Sequence, residues 1–477
     1  MRIIELEAHL TQLVAPNVDA GAVSGGTIQT ISFMARAREM AVATPPSRNR
    51  VVDLVRVFSI LVVVFGHWLM AAITFEDGEI VPGHLLELAD WTHPLTWLFQ
   101  VMPLFFFVGG YSNALSWRSA RRRGEVYGAW LRARLRRLAL PVVPLLVIWA
   151  VGGWIGLRVG LDWEMLQLSS RVALVPTWFL AAYVVIVTLA PVALWLWDRF
   201  GWWSIAAGLA LGAAADIVSI GFGFVPAGFL NYVFVWATVH QLGYAWVDGR
   251  LAGTGRRVAL MTSGLGAALL LVWLGPYPVA MVGLDTAQVT NSYPPRVTLT
   301  LLGMFQAGLV LLWEPLLERW MNRLRSWTAV VVVSARIMTL YLWHLTAMII
   351  LIGLAMLAGG WGFGLRPLSG EWWLTRPVWF AVLMLPTVAL IMIFGRYERP
   401  ERDARPAPVW WRPVLAVMSI CAGLGFLAAI GIADEQGLNG FVLSLPVIGV
   451  IIGGVARAPW RSAPAATRPG GPPPGSS

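Results

Sequence analysis

Apolar runs of about 20 residues recur along most of the 477-residue chain, separated by short polar stretches. A run of that length matches the hydrocarbon thickness that one α-helix crosses. The pattern predicts twelve spans, near 51–73, 94–117, 138–158, 176–197, 201–218, 225–247, 258–282, 297–315, 329–356, 377–395, 414–432 and 441–456. The alternating ten-residue segments of a membrane β-barrel are not seen. The expected fold class is an all-α polytopic membrane protein.

The polar stretches orient the bundle. Cytoplasmic loops of membrane proteins carry an excess of basic residues. With the N-terminus inside, the loops at 118–137, 198–200, 248–257, 316–328 and 396–413 are cytoplasmic, and they hold 20 Arg. The opposite loops hold only Arg158, Arg171, Arg296, Arg366 and Arg376. Both termini are therefore expected in the cytoplasm.

Composition narrows the class further. The chain is 58% apolar and 13% charged, with 27 Trp, which excludes an ordinary soluble protein. The net charge of +10 is carried by the basic loops and does not call for nucleic acid. All 35 basic residues are Arg, which fits a GC-rich coding bias and also suits phosphate. The single cysteine, Cys421, excludes internal disulfides and cysteine-based metal clusters. HLLELADWTH, with His84 and His93, has no recognisable metal spacing, so no metal is expected.

Residues 1–49 have no signal-peptide core and are expected to form a disordered cytoplasmic leader, within which Met40 opens a second candidate start. The Pro-rich stretch 396–413 reads as a cytoplasmic linker. It divides a membrane domain at 50–395 from an extra two-span hairpin at 414–456. Residues 457–477 read as a disordered cytoplasmic tail.

One span departs from the apolar pattern. DLVRVFSILVVVFGHW, residues 53–68, carries Asp53, Arg56 and His67. A charge near the bilayer centre costs roughly 2.5–3.5 kcal/mol on insertion scales, so these residues need compensation. From Arg56 to His67 a helix makes three turns plus about 20° and rises about 16.5 Å. Asp53 falls about 40° from alignment with His67, so all three share one stripe that faces the bundle or a wet groove. One reading is an Asp53–Arg56 pair with a hydrogen-bonded core histidine. The other is a channel with a basic mouth and a titratable histidine deeper in.

RVVDLVRVFSILVVVFGHW resembles the opening signature of the acyltransferase family 3 membrane proteins, D-x-x-R followed by R-x(10)-H in the first span. The resemblance continues in order. LFFFVGGYSNALSWR is similar to the family's FFxxSGF segment, RARLRRLALPVVP to R-x-x-R-x-x-P, and VPTWFLAAYVV to the WFL segment of the fourth span. VFVWATVHQLGYAW resembles the stretch before the central loop, and VSARIMTLYLWHL the late S-x-x-Y-L-x-H segment. Gly109 stands where Ser is usual before Gly110, so a hydroxyl role there is absent.

The resemblance covers about residues 50–395 and implies a ten-span acyltransferase-like bundle, here followed by two C-terminal spans. It implies an O-acyltransferase in a bacterial plasma membrane, moving an acyl group from cytoplasmic acyl-CoA to a hydroxyl of an envelope glycan, lipid or small molecule. Acyl-CoA is then the donor substrate, and no cofactor is permanently bound. Transfer to an alcohol needs a base for the hydroxyl proton and donors for the developing oxyanion. His67 is assigned as general base, with a covalent acyl-imidazole as a secondary possibility, and His344 as its catalytic assistant or a partner of Tyr341. Arg56, Arg134 and Arg137 would hold the CoA phosphates, since guanidinium groups pair well with phosphate. Arg134 and Arg137 could equally be topology signals. Asp53, Trp178 and Tyr341 are the substrate-side candidates.

On a continuous ninth span, Ser334 and Tyr341 would align within about 20°, with His344 some 60° further round. Asn231 and His240 would lie on opposite faces of the sixth span, so His240 reads as structural. Asp216 is a weaker acceptor contact. The rival function is a twelve-span secondary transporter. RSARRRGE lacks the acidic residue of the major-facilitator loop signature, however, and the two halves show no similarity. A scaffold or sensor would not need R-x(10)-H.

Overall fold

The computed structural model describes residues 35–76, 78–283, 288–398 and 406–455. The principal helices are α1 (Arg50–Met70), α2 (Met102–Arg122), α3 (Tyr127–Ala139), α4 (Val142–Arg158) and α5 (Trp163–Leu174). They continue as α6 (Pro176–Phe200), α7 (Trp202–Asp216), α8 (Asn231–Val247), α9 (Thr254–Leu274) and α10 (Val297–Met321). The last are α11 (Leu324–Ser334), α12 (Ile337–Leu357), α13 (Gly370–Phe394), α14 (Trp411–Ile430) and α15 (Gly440–Ile452). Two small antiparallel hairpins, β1 (Thr74–Glu76) with β2 (Glu79–Val81) and β3 (Ala433–Asp434) with β4 (Gly437–Leu438), are the only sheets among the described residues.

Nine helices among the described residues are long and apolar enough to cross a membrane. A tenth forms if α3 and α4, bent by 43°, count as one span. The chain is an all-α, multi-pass membrane protein. Two of the twelve expected spans fall short: 225–247 becomes the 17-residue α8 after a 3-10 turn, and 441–456 becomes the 13-residue α15. The α8 segment need not match the lipid thickness, because it packs inside the bundle against α2, α6, α7 and α10. It carries polar residues that lipid would not tolerate but protein can satisfy.

His240 illustrates this. Tyr244 donates to the Ala190 carbonyl at 3.3 Å, so its oxygen accepts from His240 Nδ1 at 2.9 Å. That leaves His240 Nε2 to accept from Asn113 at 3.1 Å. The fully buried imidazole ties α8 to α2 and α6, as the structural reading expected.

The glycines of LFFFVGGYSN have a packing role. A Cβ on Gly110 would strike the His240 carbonyl of α8, and one on Gly243 the Phe107 carbonyl of α2, so the two backbones cross in contact. A Cβ on Gly109 would lie 2.9 Å from the Tyr183 ring, which leaves little room for the serine usual there.

At the Arg-rich end, Arg118 joins Asp198 at 2.9 Å and also pairs with Asp248. Burial alone would raise the Asp248 pKa, but hydrogen bonds from Arg118 and Trp197 hold it below the usual carboxylate value. At the other end Asp216 is 1% exposed and engaged throughout, with Arg296 at 3.1 Å, Asn231 at 2.8 Å, Tyr277 at 3.1 Å and the Val297 N–H at 2.8 Å. It closes a structural network and is not placed to contact an acceptor.

Two sequence expectations need correction. The leader was read as disordered to residue 49. Residues 1–34 lie outside the described residues, but 35–42 are helical with Ala37 and Ala41 buried. Apolar residues scattered at helical spacing there cover a small patch, which the absence of a long run concealed. The ninth span is not continuous. It breaks at Ala335–Arg336 between α11 and α12, so the alignment of Ser334 with Tyr341 on one helix does not hold. The hairpin after the linker packs on the rest of the bundle, α14 against α6, α5 and α3. Thr177 donates to the Leu424 carbonyl at 3.0 Å, and Cys421 to that of Ala181 at 3.4 Å. Of the linker itself, 399–405 lie outside the described residues, as does the tail 457–477.

Candidate active site

The first span forms as expected, as one 21-residue helix. Asn49 caps it, its side-chain oxygen accepting from the Val51 and Val52 N–H groups and satisfying two otherwise orphaned donors. Asp53, Arg56, Ser59, Val63 and His67 run up one side toward α2 and α12. Residues Ser59, Val63, Phe105, Phe179 and Tyr341 line a narrow, largely apolar crevice, closed even to a water molecule in this conformation, beside the turns that separate Arg56 from His67.

His67 meets His344 of α12, with Nδ1 and Nε2 2.9 Å apart and the rings nearly parallel at 3°. The partners fix the tautomers. His344 Nδ1 lies 2.7 Å from the Tyr341 carbonyl, which can only accept, so Nδ1 carries the proton. In neutral His344, Nε2 is then an acceptor, and His67 Nδ1–H must be its donor. The Nε2 of a neutral His67 is left as a lone pair. His344 is fully buried, whereas His67 is partly open.

Tryptophans hold this pair. The Trp68 indole donates to the His344 carbonyl at 3.1 Å, and Trp379 of α13 to the Trp68 carbonyl at 2.9 Å. Trp149 of α4 donates to Thr346 at 3.1 Å. Two links fix α12 against α1 and α4 and the third fixes α1 against α13, so four helices set the imidazole geometry.

The break before α12 exposes helix N–H groups, and a distant carboxylate satisfies them. Glu398 accepts from the Met338 N–H at 2.9 Å, the Thr339 N–H at 3.1 Å and the Thr339 hydroxyl at 2.9 Å. A negative charge is favoured at a helix N-terminus. Trp343 stacks on Phe394 at 4.0 Å beside it. Arg336 occupies the break, its guanidinium donating to the Ala335 carbonyl. Glu398 lay in what reads as a polar linker, and no local sequence signal ties it to residues 338 and 339.

At the Arg-rich end Asp53 is buried between two guanidinium groups, Arg48 at 2.7 Å and Arg56 at 3.2 Å. Arg56 also donates to Ser112 of α2 at 2.7 Å. Both elements of the first reading of the stripe are thus present, an Asp53–Arg56 pair at one end and a hydrogen-bonded histidine at the other. Both Asp53 carboxylate oxygens are engaged by arginines, so it organises the two guanidinium groups.

The other candidates are distributed around this axis. One turn beyond Ser112, Ser116 accepts from the Trp130 indole at 3.0 Å, and Arg134 lies over the Trp130 ring at 5.7 Å. Trp130 thus links α3 to the face of α2 that Arg56 contacts, with Arg134 over its ring. Arg137 points to the exterior and is not brought to Arg56 by any contact. The Tyr341 hydroxyl is committed to the Pro176 carbonyl at 2.8 Å. Its contributions are its ring in the crevice and its carbonyl under His344. Trp178 packs edge-on against Phe179 and Tyr232, behind the crevice.

A family model described as an acyltransferase domain matches residues 49–396. No curated protein sequence and no solved structure matches the chain. The matched segment runs from the cap of α1 to the end of α13 and so contains both histidines, the Arg56 mouth and the crevice between them. The chain belongs to the acyltransferase family 3 proteins, and is a membrane-embedded acyltransferase.

Proposed function

We propose that the protein is an O-acyltransferase that takes an acyl group from acyl-CoA in the cytoplasm and delivers it to a hydroxyl of an envelope glycan, lipid or small molecule. The Arg-rich end faces the cytoplasm of a bacterial plasma membrane, both termini on that side, in keeping with the Arg distribution. The observation that carries the reading is the His344–His67 pair, whose partners leave the His67 Nε2 lone pair as a base. It stands about 16.5 Å along the same helix from an arginine mouth.

Arg56 and Arg134 grip the donor phosphates, with Arg137 at the entrance. To reach His67 the thioester arm parts the closed apolar crevice between α1, α2, α6 and α12. His67 Nε2 takes the acceptor's hydroxyl proton as its oxygen forms a bond to the thioester carbon. The tetrahedral intermediate collapses with cleavage of the carbon–sulfur bond, and the thiolate recovers the proton from the imidazolium. His344 accepts from His67 Nδ1–H throughout and steadies the charge that develops. Family membership favours this over a secondary transporter, and a partnered histidine pair is not required of a scaffold.

The reading is tested by profiling envelope glycans, lipids and exported small molecules in a deletion strain complemented with the wild type or His67→Ala. Loss of one ester-linked acyl group in the deletion, restored by the wild type alone, is expected. An unchanged ester inventory in the deletion would contradict it.

A further inference from the structure

We infer that Arg48 forms, with Arg56, a two-guanidinium clamp for the diphosphate of the donor; the inference rests on the acyl-CoA reading above. Arg48 precedes the matched family segment, which begins at residue 49. Nothing in the sequence distinguishes it from the other arginines of the leader. Its position in the fold does.

Residues 44–50 are fastened to the bundle. Thr44 receives the Trp327 indole N–H at 2.9 Å and itself donates to the Met40 carbonyl at 3.0 Å. Arg50 donates to the Met321 carbonyl at 3.0 Å. The Trp327 ring carries both Arg48, at 5.9 Å, and Arg50, at 5.2 Å. With Asn49 locked as the α1 cap, the backbone on either side of Arg48 has a fixed course.

Asp53 then sets the side-chain geometry. One carboxylate oxygen takes Arg48 Nε and the other takes an Arg56 terminal nitrogen, so the two guanidinium groups flank a single carboxylate. The carboxylate is buried, whereas the Arg48 side chain is 52% exposed and that of Arg56 30%. Guanidinium groups held in place before binding lose little freedom when an anion arrives. Two adjacent forks suit two linked phosphates better than one.

The probe is coenzyme A itself, titrated into the purified full-length protein in nanodiscs of phosphatidylcholine, and again in discs containing phosphatidylglycerol. Arg48→Gln should weaken coenzyme A binding roughly tenfold, as expected for loss of one charge-assisted hydrogen bond. Arg48→Lys should recover part of it, and inorganic pyrophosphate should displace coenzyme A less effectively from Arg48→Gln than from the wild type. Equal affinity of Arg48→Gln and the wild type would overturn the clamp while leaving the acyl-CoA reading intact. A deficit that shows only in the phosphatidylglycerol discs would also overturn it and assign Arg48 to a lipid headgroup. Failure of the wild type to bind coenzyme A in either disc would overturn the donor reading itself.

Discussion

His344 offers the sharpest test of how the histidine pair works. In His344→Leu a side chain of similar bulk removes the acceptor that holds His67 Nδ1–H. The neutral imidazole can then place its proton on either nitrogen, and only one tautomer presents Nε2 as a base. A hydrogen bond of this kind contributes about 0.5–1.5 kcal/mol net. At about 1.4 kcal/mol per tenfold, its loss shifts the tautomer ratio by roughly two- to tenfold, and the rate falls by no more than that. His67→Ala removes the base and should cost roughly 10²–10⁴-fold. His344→Gln, which restores an acceptor oxygen, should fall between the wild type and Leu. The assay is single-turnover acyl transfer by purified variants whose folding is checked by thermal unfolding. If His344→Leu fell as far as His67→Ala while folded, His344 would itself be reacting and the tautomer argument would fail; a wild-type rate would show that the pair has no role.

Three further outcomes follow from the same contacts. Glu398→Ala should lower stability by about 1–2 kcal/mol, the usual cost of a lost helix cap, and slow transfer by displacing α12; an unchanged unfolding midpoint in a thermal melt would show that the cap is dispensable. Gly110→Leu should abolish folded protein, because its side chain would occupy the α8 backbone; well-behaved, monodisperse protein on size-exclusion chromatography would refute the close crossing. In a Cys421→Ser background, a membrane-impermeant maleimide should label Val159→Cys in intact cells but Arg122→Cys only after lysis; the reverse pattern would invert the orientation and detach the arginine mouth from cytoplasmic acyl-CoA. Val159 suits the outer probe because it is 79% exposed, whereas Ser170 in the following helix is fully buried.

The parts of the site legible in the sequence were those written within one helix. Asp53, Arg56 and His67 share α1, and period 3.6 was enough to place them on one stripe. Across helices the sequence was silent: periodicity shows that His344 lies on a span, not that it meets His67. Tyr341 was read by its hydroxyl, but its carbonyl does the positioning, and a main-chain atom leaves no mark on residue choice. The break before α12 escaped notice because VSARIM contains neither Pro nor Gly; its compensation comes from Glu398, about 60 residues away. Asp216 was read as a weak acceptor contact because its partner, Arg296, stood in a loop counted only for its sign. Apolar length likewise overstated α8 and α15 as full spans, since burial in protein and burial in lipid select the same residues.

The central claim is that Arg56 grips the donor and His67 performs the transfer, two separable tasks on one helix. Acyl-CoA affinity measured beside the transfer rate, for purified His67→Ala, Arg56→Ala and Arg56→Lys, tests it most directly. His67→Ala should bind acyl-CoA as the wild type does and transfer nothing. Arg56→Ala should lose affinity, with Arg56→Lys recovering it in part, because a point charge lacks the guanidinium fork. Normal turnover by His67→Ala would contradict the assignment of the base, and loss of acyl-CoA binding by His67→Ala as complete as that of Arg56→Ala would contradict the division of tasks.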